Sequence, residues 1–179
     1  MSGASRETVE AAVLVPIHRD AEGDLRVVLI RRAERGAHAG QIAFPGGRRE
    51  PGDADALATA LREAHEEIGL EPSDVRLIAA LPVVTTRTTG FTIAPFLVEI
   101  RRPERWRADP EEVSEVLDVR LADLERLEAH GESLEHWSGW SEPRLVPFVR
   151  IGEHRLWGAT HRILIPLIPR LRAGEWTLT

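Results

Sequence analysis

Short apolar runs alternate with turn residues along most of the chain, and one segment breaks that rhythm with helical spacing. Residues 8–17, rich in Val and Ala, read as a buried strand. Residues 18–24 carry loop chemistry and 25–30 (Leu-Arg-Val-Val-Leu-Ile) form the return strand, so the pair predicts a hairpin. Further strands are expected at 41–44, at 75–84 (closed by Pro82), at 91–100 and at 116–119. Residues 145–151 and 154–157 predict a second hairpin around Gly152-Glu153. Pro95 would put the 91–100 strand at an edge or mark a bulge.

The break in rhythm is residues 56–68, which contain neither Gly nor Pro. At about 100° per residue Leu57, Ala60, Leu61, Ala64 and Ile68 share one apolar arc. Pro51-Gly52 is a turn pair, Asp53 and Asp55 are both N-cap candidates, and Gly69 sits where a helix C-terminus favours positive φ. A short amphipathic helix is expected at 121–127, and a last helix opens at Trp157-Gly158-Ala159-Thr160, with Pro166 and Pro169 expected to kink it or end it early. Residues 129–143 are polar, a loop carrying Trp137 and Trp140 that would serve as a lid, an interface or a tryptophan-anchored turn. Residues 1–7 should be frayed. No repeat and no linker divides the 179 residues, so one domain of α/β (α+β) type is expected.

Composition narrows the chemistry. With no cysteine there is no disulfide framework, thiolate metal site or cysteine nucleophile. A net charge of −6 argues against a nucleic-acid binder. No apolar run approaches the ~20 residues of a membrane span, and the first ten residues lack the apolar core of a signal peptide, so a soluble cytoplasmic protein is expected. The seven histidines show no paired metal-ligand spacing, and neither Gly-x-Ser-x-Gly nor a Walker-type loop occurs.

The chemistry gathers on the helix. Glu63, Glu66 and Glu67 fall on an arc beside the apolar stripe, and Arg62 lies one turn before Glu66, within pairing reach. Glu-rich helix faces are commonly just solvated. Here the acids border the apolar stripe and follow a Gly-Gly loop. Three repelling carboxylates make sense around a hard divalent cation, Mg²⁺ or Mn²⁺, which binds through carboxylates and substrate phosphates. Upstream, Arg31, Arg32, Arg35 and His38 cluster between strands, where Arg forks suit phosphate oxygens. Arg87, among four threonines in 85–89, could line the same pocket.

Gly47, Arg62-Glu63-Ala64, Glu66-Glu67 and Gly69-Leu70 resemble the Nudix box of the Nudix hydrolases. Two departures are visible: Asp53 stands where the box has Glu, and the step from there to Arg62 is one residue longer. A longer loop with Thr59-Ala60-Leu61-Arg62-Glu63-Ala64-His65-Glu66-Glu67 resembles the coenzyme A pyrophosphatase branch. So do Arg31-Arg32-Ala33, His38 to Gly47 (with Gln41), the Thr-Ile-Ala-Pro-Phe run at 92–96 and Trp-Gly-Ala-Thr at 157–160. Ala33 replaces the branch's usual Ser, and Gly36-Ala37 replaces an apolar-basic pair.

The resemblance implies an α/β/α sandwich with a mixed sheet, and metal-dependent hydrolysis of a pyrophosphate in a nucleotide substrate. Coenzyme A comes first, with ADP-ribose or another nucleotide as the alternative; a binding module without activity is the competitor of a different class. It implies Glu63, Glu66, Glu67 and the Gly46 carbonyl as metal ligands, and Arg62 as the residue orienting Glu66. The base would be Glu66 or an acid from the loop after residue 100, where Glu112 and Glu115 are candidates. Substrate contacts are expected from Arg31, Arg32, His38, Gln41, Gly47 and Arg87. No membrane or nucleic-acid partner is expected; a monomer and a homodimer both remain open.

Overall fold

The computed structural model describes residues 9–35, 38–86, 90–136 and 140–179. The fold grows from the first hairpin. β1 (Val9–Arg19) turns at residues 20–24 into β2 (Leu25–Arg32). The two strands pair antiparallel over only three register positions, Ile17↔Val27 to Arg19↔Leu25, and then diverge. Into the gap goes the segment after residue 40. Its first part, β3 (Ile42–Ala43), pairs with β2, and its second, β4 (Gly46–Arg48), pairs with β1. The Gly-Gly pair read as loop is therefore a strand, because glycine lets its backbone lie directly against β1. This wedge carries Gly46 and Gly47 to the helix.

That helix, α1 (Ala56–Ile68), has the bounds its sequence predicts. Asp55 is the N-cap, its side chain accepting from the Ala58 N–H at 2.8 Å, and Gly69 closes the helix at φ 68°. Asp53, the other cap candidate, does different work described below. Replacing Asp55 by Ala should cost about 1 kcal/mol, lowering the melting temperature by roughly 2–4 °C. A melt indistinguishable from wild type would show that water replaces this cap.

β5 (Val75–Ala80) and β6 (Val84–Thr85) form from the long apolar run, and both pair with β7 (Phe91–Ile100). β7 also runs parallel to β1 from Val9↔Phe91 to Ile17↔Glu99, which makes the sheet mixed and β7 internal. Pro95 is thus not on an edge strand. Its carbonyl accepts from the Leu81 N–H at 2.9 Å, so its nitrogen also faces the gap between β5 and β6 and removes no bond from β1.

β8 (Val113–Arg120) covers the other side of β2, and α2 (Leu121–Leu124) follows. Residues 130–135, expected as part of a polar loop, form β9 (His130–Glu135). With β10 (Arg144–Ile151) and β11 (His154–Trp157) it makes a small antiparallel sheet. α3 (Gly158–Arg172) runs through both prolines. Pro166 and Pro169 lie on its exposed face, where water can take the carbonyls they leave free, while Ile163, Leu164, Leu167, Ile168 and Leu171 stay buried.

Strand alternation divides the core in two. Leu14, Val28, Ile30 and Val98 face α1, packing with Ala60, Ala64 and Ile68. Val15, Ile17, Val27, Leu29 and Leu97 face α3 and the small sheet. The result is a three-layer α+β sandwich around a mixed sheet. No helix among the described residues is long and apolar enough to cross a membrane.

Candidate active site

The site lies where β1 and β2 splay. Ala60 and Ala64 let α1 sit close over β1 and β4, and the turn after them carries Glu67 inward beside Ile68. Glu67 is 1% exposed, and its Oε2 accepts the Gly46 N–H at 2.8 Å. Glu63, one turn earlier, lies under Gly47: a Cβ built there would stand 2.4–2.6 Å from its carboxyl atoms. Glu112 reaches in from the loop before β8. One carboxylate oxygen from each of Glu63, Glu67 and Glu112 falls within 4.8 Å of the others.

The electrostatics follow from that arrangement. Burial pushes the Glu67 carboxyl up to about 8; the Gly46 N–H and the Arg32 charge pull the other way, and Glu63 and Glu112 add repulsion. Burial also raises Glu63, which Arg62 partly offsets. A buried carboxyl raised this far, with two more carboxylates beside it, belongs to a donor set of hard oxygens short of one cation. A divalent ion such as Mg²⁺ or Mn²⁺ fits that deficit.

Glu66 stands apart from this group. It is half-exposed and turns toward Arg62, whose Nη1 donates to its Oε2 at 3.0 Å. The structure therefore brings Glu63 and Glu67 together with Glu112, and sets Glu66 on the rim. Gly46 meets the group through its N–H, which donates to Glu67.

Arg62 is itself clamped. Its Nε and Nη2 donate to Asp53 Oδ1 and Oδ2 at 2.9 and 3.1 Å, Nη2 also reaches the Arg48 carbonyl, and Nη1 lies 3.1 Å from Glu63 Oε1. Asp53 is nearly buried and also accepts from Thr59 Oγ1 and the Glu50 N–H. The hydrogen bonds from Arg62 hold its carboxyl well below the usual range. Here lies the physical sense of both departures from the box. A side chain one methylene shorter, on a loop one residue longer, still forms a two-pronged pair with the arginine. Sequence reading offered Asp53 only as a cap or as a box position; its distance in helical turns from Arg62 hides the pair.

The upstream residues divide. Arg32 follows the β2–β8 irregularity and its charge acts on Glu67. Arg31 pairs with Glu34 and Ser114. His38 Nδ1 and Gln41 Oε1 lie 3.2 Å apart. Gly47 serves the packing of Glu63. Arg87 and Trp137 lie outside the described residues, while Trp140 stacks under Arg144. Of the downstream acids, Glu115 approaches His154 at 3.3 Å and Glu111 pairs with Arg35, which leaves Glu112 as the one in the group.

Comparison with known proteins agrees with this architecture. Residues 8–140 match the NUDIX domain model. The protein named Uncharacterized Nudix hydrolase NudL from Escherichia coli (strain K12 / DH10B) is 36% identical over 171 residues, spanning 89% of this chain and 83% of that protein. Among solved structures, a MutT/nudix family protein from Enterococcus faecalis superposes with a TM-score of 0.64 at 18% identity, covering 98% of this chain and 65% of that one. The NUDIX domain of Shewanella oneidensis NrtR, complexed with ADP ribose, gives 0.52 at 19% identity, covering 67% of this chain and 77% of that one. With the family model matching most of its length and the box helix in place, the chain belongs to the Nudix hydrolase family.

Proposed function

We propose that the protein hydrolyses the pyrophosphate bond of a nucleoside diphosphate derivative. Coenzyme A is the first choice of substrate, split by water into 4′-phosphopantetheine and adenosine 3′,5′-bisphosphate. The observation that carries the reaction is the meeting of Glu63, Glu67 and Glu112 within one ion's reach. The choice of coenzyme A rests on the resemblance of the segment from Arg31 to Gly47 and of the Thr-Ile-Ala-Pro-Phe run.

Glu63, Glu67 and Glu112 would hold Mg²⁺ or Mn²⁺, with the Gly46 N–H keeping Glu67 in place. The bound ion supplies neutralisation of phosphate charge and a water of lowered pKa. Glu66, paired with Arg62 and open to solvent, accepts the proton of the attacking water. Arg62, fixed by Asp53, keeps that carboxylate in one orientation. Arg32 offers a guanidinium fork to a phosphate oxygen.

Hydrolysis of coenzyme A, ADP-ribose and 8-oxo-dGTP, compared side by side with Mg²⁺, Mn²⁺ or chelator, tests the reading. Metal-dependent cleavage favouring coenzyme A is expected. Preference for another nucleotide would keep the mechanism and remove the substrate, and no turnover with either metal would leave only a binding module. Glu66→Gln should lower kcat by about 10²–10⁴ while Mn²⁺ affinity is largely kept.

A further inference from the structure

Glu112 comes from a loop, yet it meets two carboxylates on a helix, and those carboxylates repel it. What keeps it there is visible in the backbone. The last carbonyls of α1 have no intrahelical donors. The Arg107 N–H donates to the Ile68 carbonyl at 3.2 Å, and the Asp109 N–H to the carbonyl of Glu67 itself at 2.9 Å.

Asp109 then opens a tight turn. Its carbonyl accepts from the Glu112 and Val113 N–H groups at 3.1 and 2.8 Å, and its Oδ1 accepts from the Glu111 N–H at 2.9 Å. Pro110 follows at the position where a fixed φ suits such a turn, and Asp is a preferred opener because its side chain closes the ring. From the other side the Ala33 N–H donates to the Glu112 carbonyl at 2.8 Å.

We propose that Asp109 is a positioning residue that ties the loop acid Glu112 to the backbone of Glu67, so that acids from two distant segments present one cation site. The proposal rests on reading Glu63, Glu67 and Glu112 as the ligand group. A single residue links the two: the N–H of Asp109 is anchored on Glu67, and the carbonyl of Asp109 anchors Glu112. The Asp109 side chain keeps the turn between them closed. Without it, solvation and repulsion by Glu63 and Glu67 favour a Glu112 turned out to water.

The test is Mn²⁺ affinity, read by electron paramagnetic resonance of the free ion, for wild type, Asp109→Ala, Asp109→Asn, Glu112→Gln and the Asp109→Ala/Glu112→Gln pair. Asp109→Ala should weaken Mn²⁺ binding by about tenfold, the scale typical of losing a residue behind a ligand. Asp109→Asn keeps the Oδ1 acceptor and should bind like wild type. The pair should bind no worse than Glu112→Gln alone, since Asp109 acts through Glu112. Should Asp109→Ala not fold, Asp109→Ser, which shortens the acceptor, takes its place in both comparisons. Additive losses, or an unchanged affinity in the Asp109 variant beside a weakened Glu112→Gln, would overturn the proposal. An unchanged Glu112→Gln would instead remove Glu112 from the ligand group, and the role of Asp109 with it.

Discussion

Glu67→Gln is expected to do two opposite things: to cut metal-dependent turnover by at least about a hundredfold, and to make the metal-free protein more stable at alkaline pH. The first follows from its place in the ligand group, since even residues behind a ligand typically cost 10–100-fold. The second follows from its pKa. In the folded, metal-free protein the carboxyl titrates near 8, against 4.5 for an ordinary glutamate. Between those values the folded state keeps a proton that the unfolded chain has released. The contribution of Glu67 to stability is therefore fully present below about pH 4.5 and lost as pH rises through 8.

At pH 8.5 the ionised group is buried beside Glu63 and Glu112 at a cost on the order of a few kcal/mol. A glutamine keeps an oxygen for the Gly46 N–H and carries no charge. Melts in chelator at pH 5 and 8.5 should show a larger fall for wild type than for the variant, and added Mn²⁺ should restore the wild type alone. Equal pH dependence of the two proteins would mean that Glu67 ionises in the folded state as it does in water.

The contrast between what sequence revealed and what it hid runs along the same line as local and distant interactions. Residues 56–68 could be bounded because Asp55 and Gly69 act within one turn of the helix they end. The hairpin at β10 and β11 was legible from Gly152-Glu153 for the same reason. β9 was not: His-Gly-Glu-Ser-Leu-Glu has little β-propensity, and it is a strand because β10 pairs with it. α3 outlasts Pro166 and Pro169 because five buried residues hold its other face, a tertiary fact. In the site, Arg62 to Glu66 is one helical turn and was readable, whereas the grouping of Glu67 with Glu112 depends on how a loop caps α1. The Asp109-Pro110 turn signal marked where that loop tightens, and it is the feature by which Glu112 could have been ranked above Glu115.

Gly46→Ala should be the most damaging methyl group added at any glycine among the described residues, and Gly47→Ala, one residue on, should injure the site instead of the fold. At Gly46 the backbone sits at φ 149°, and a Cβ would stand 2.3 Å from the Ala12 carbonyl oxygen and 2.6 Å from Val13 Cα. Those are backbone atoms of β1, held on their far side by β7, so relief requires β4 to leave β1. The cost should be about 3 kcal/mol or more, a fall in melting temperature on the order of 10 °C. Glu67 would lose the Gly46 backbone donor as β4 withdraws, so metal binding should weaken with the fold. At Gly47 the atoms in the way are the carboxyl end of Glu63, which can swing aside. That variant should melt close to wild type but bind Mn²⁺ more weakly, because Glu63 leaves the group. Paired melts and Mn²⁺ titrations separate the two effects. If both variants lost stability equally, Glu63 would be part of the rigid core. If Gly46→Ala melted with wild type, β4 could move off β1 freely, and the wedge that brings the glycine pair to α1 would not be what holds the site together.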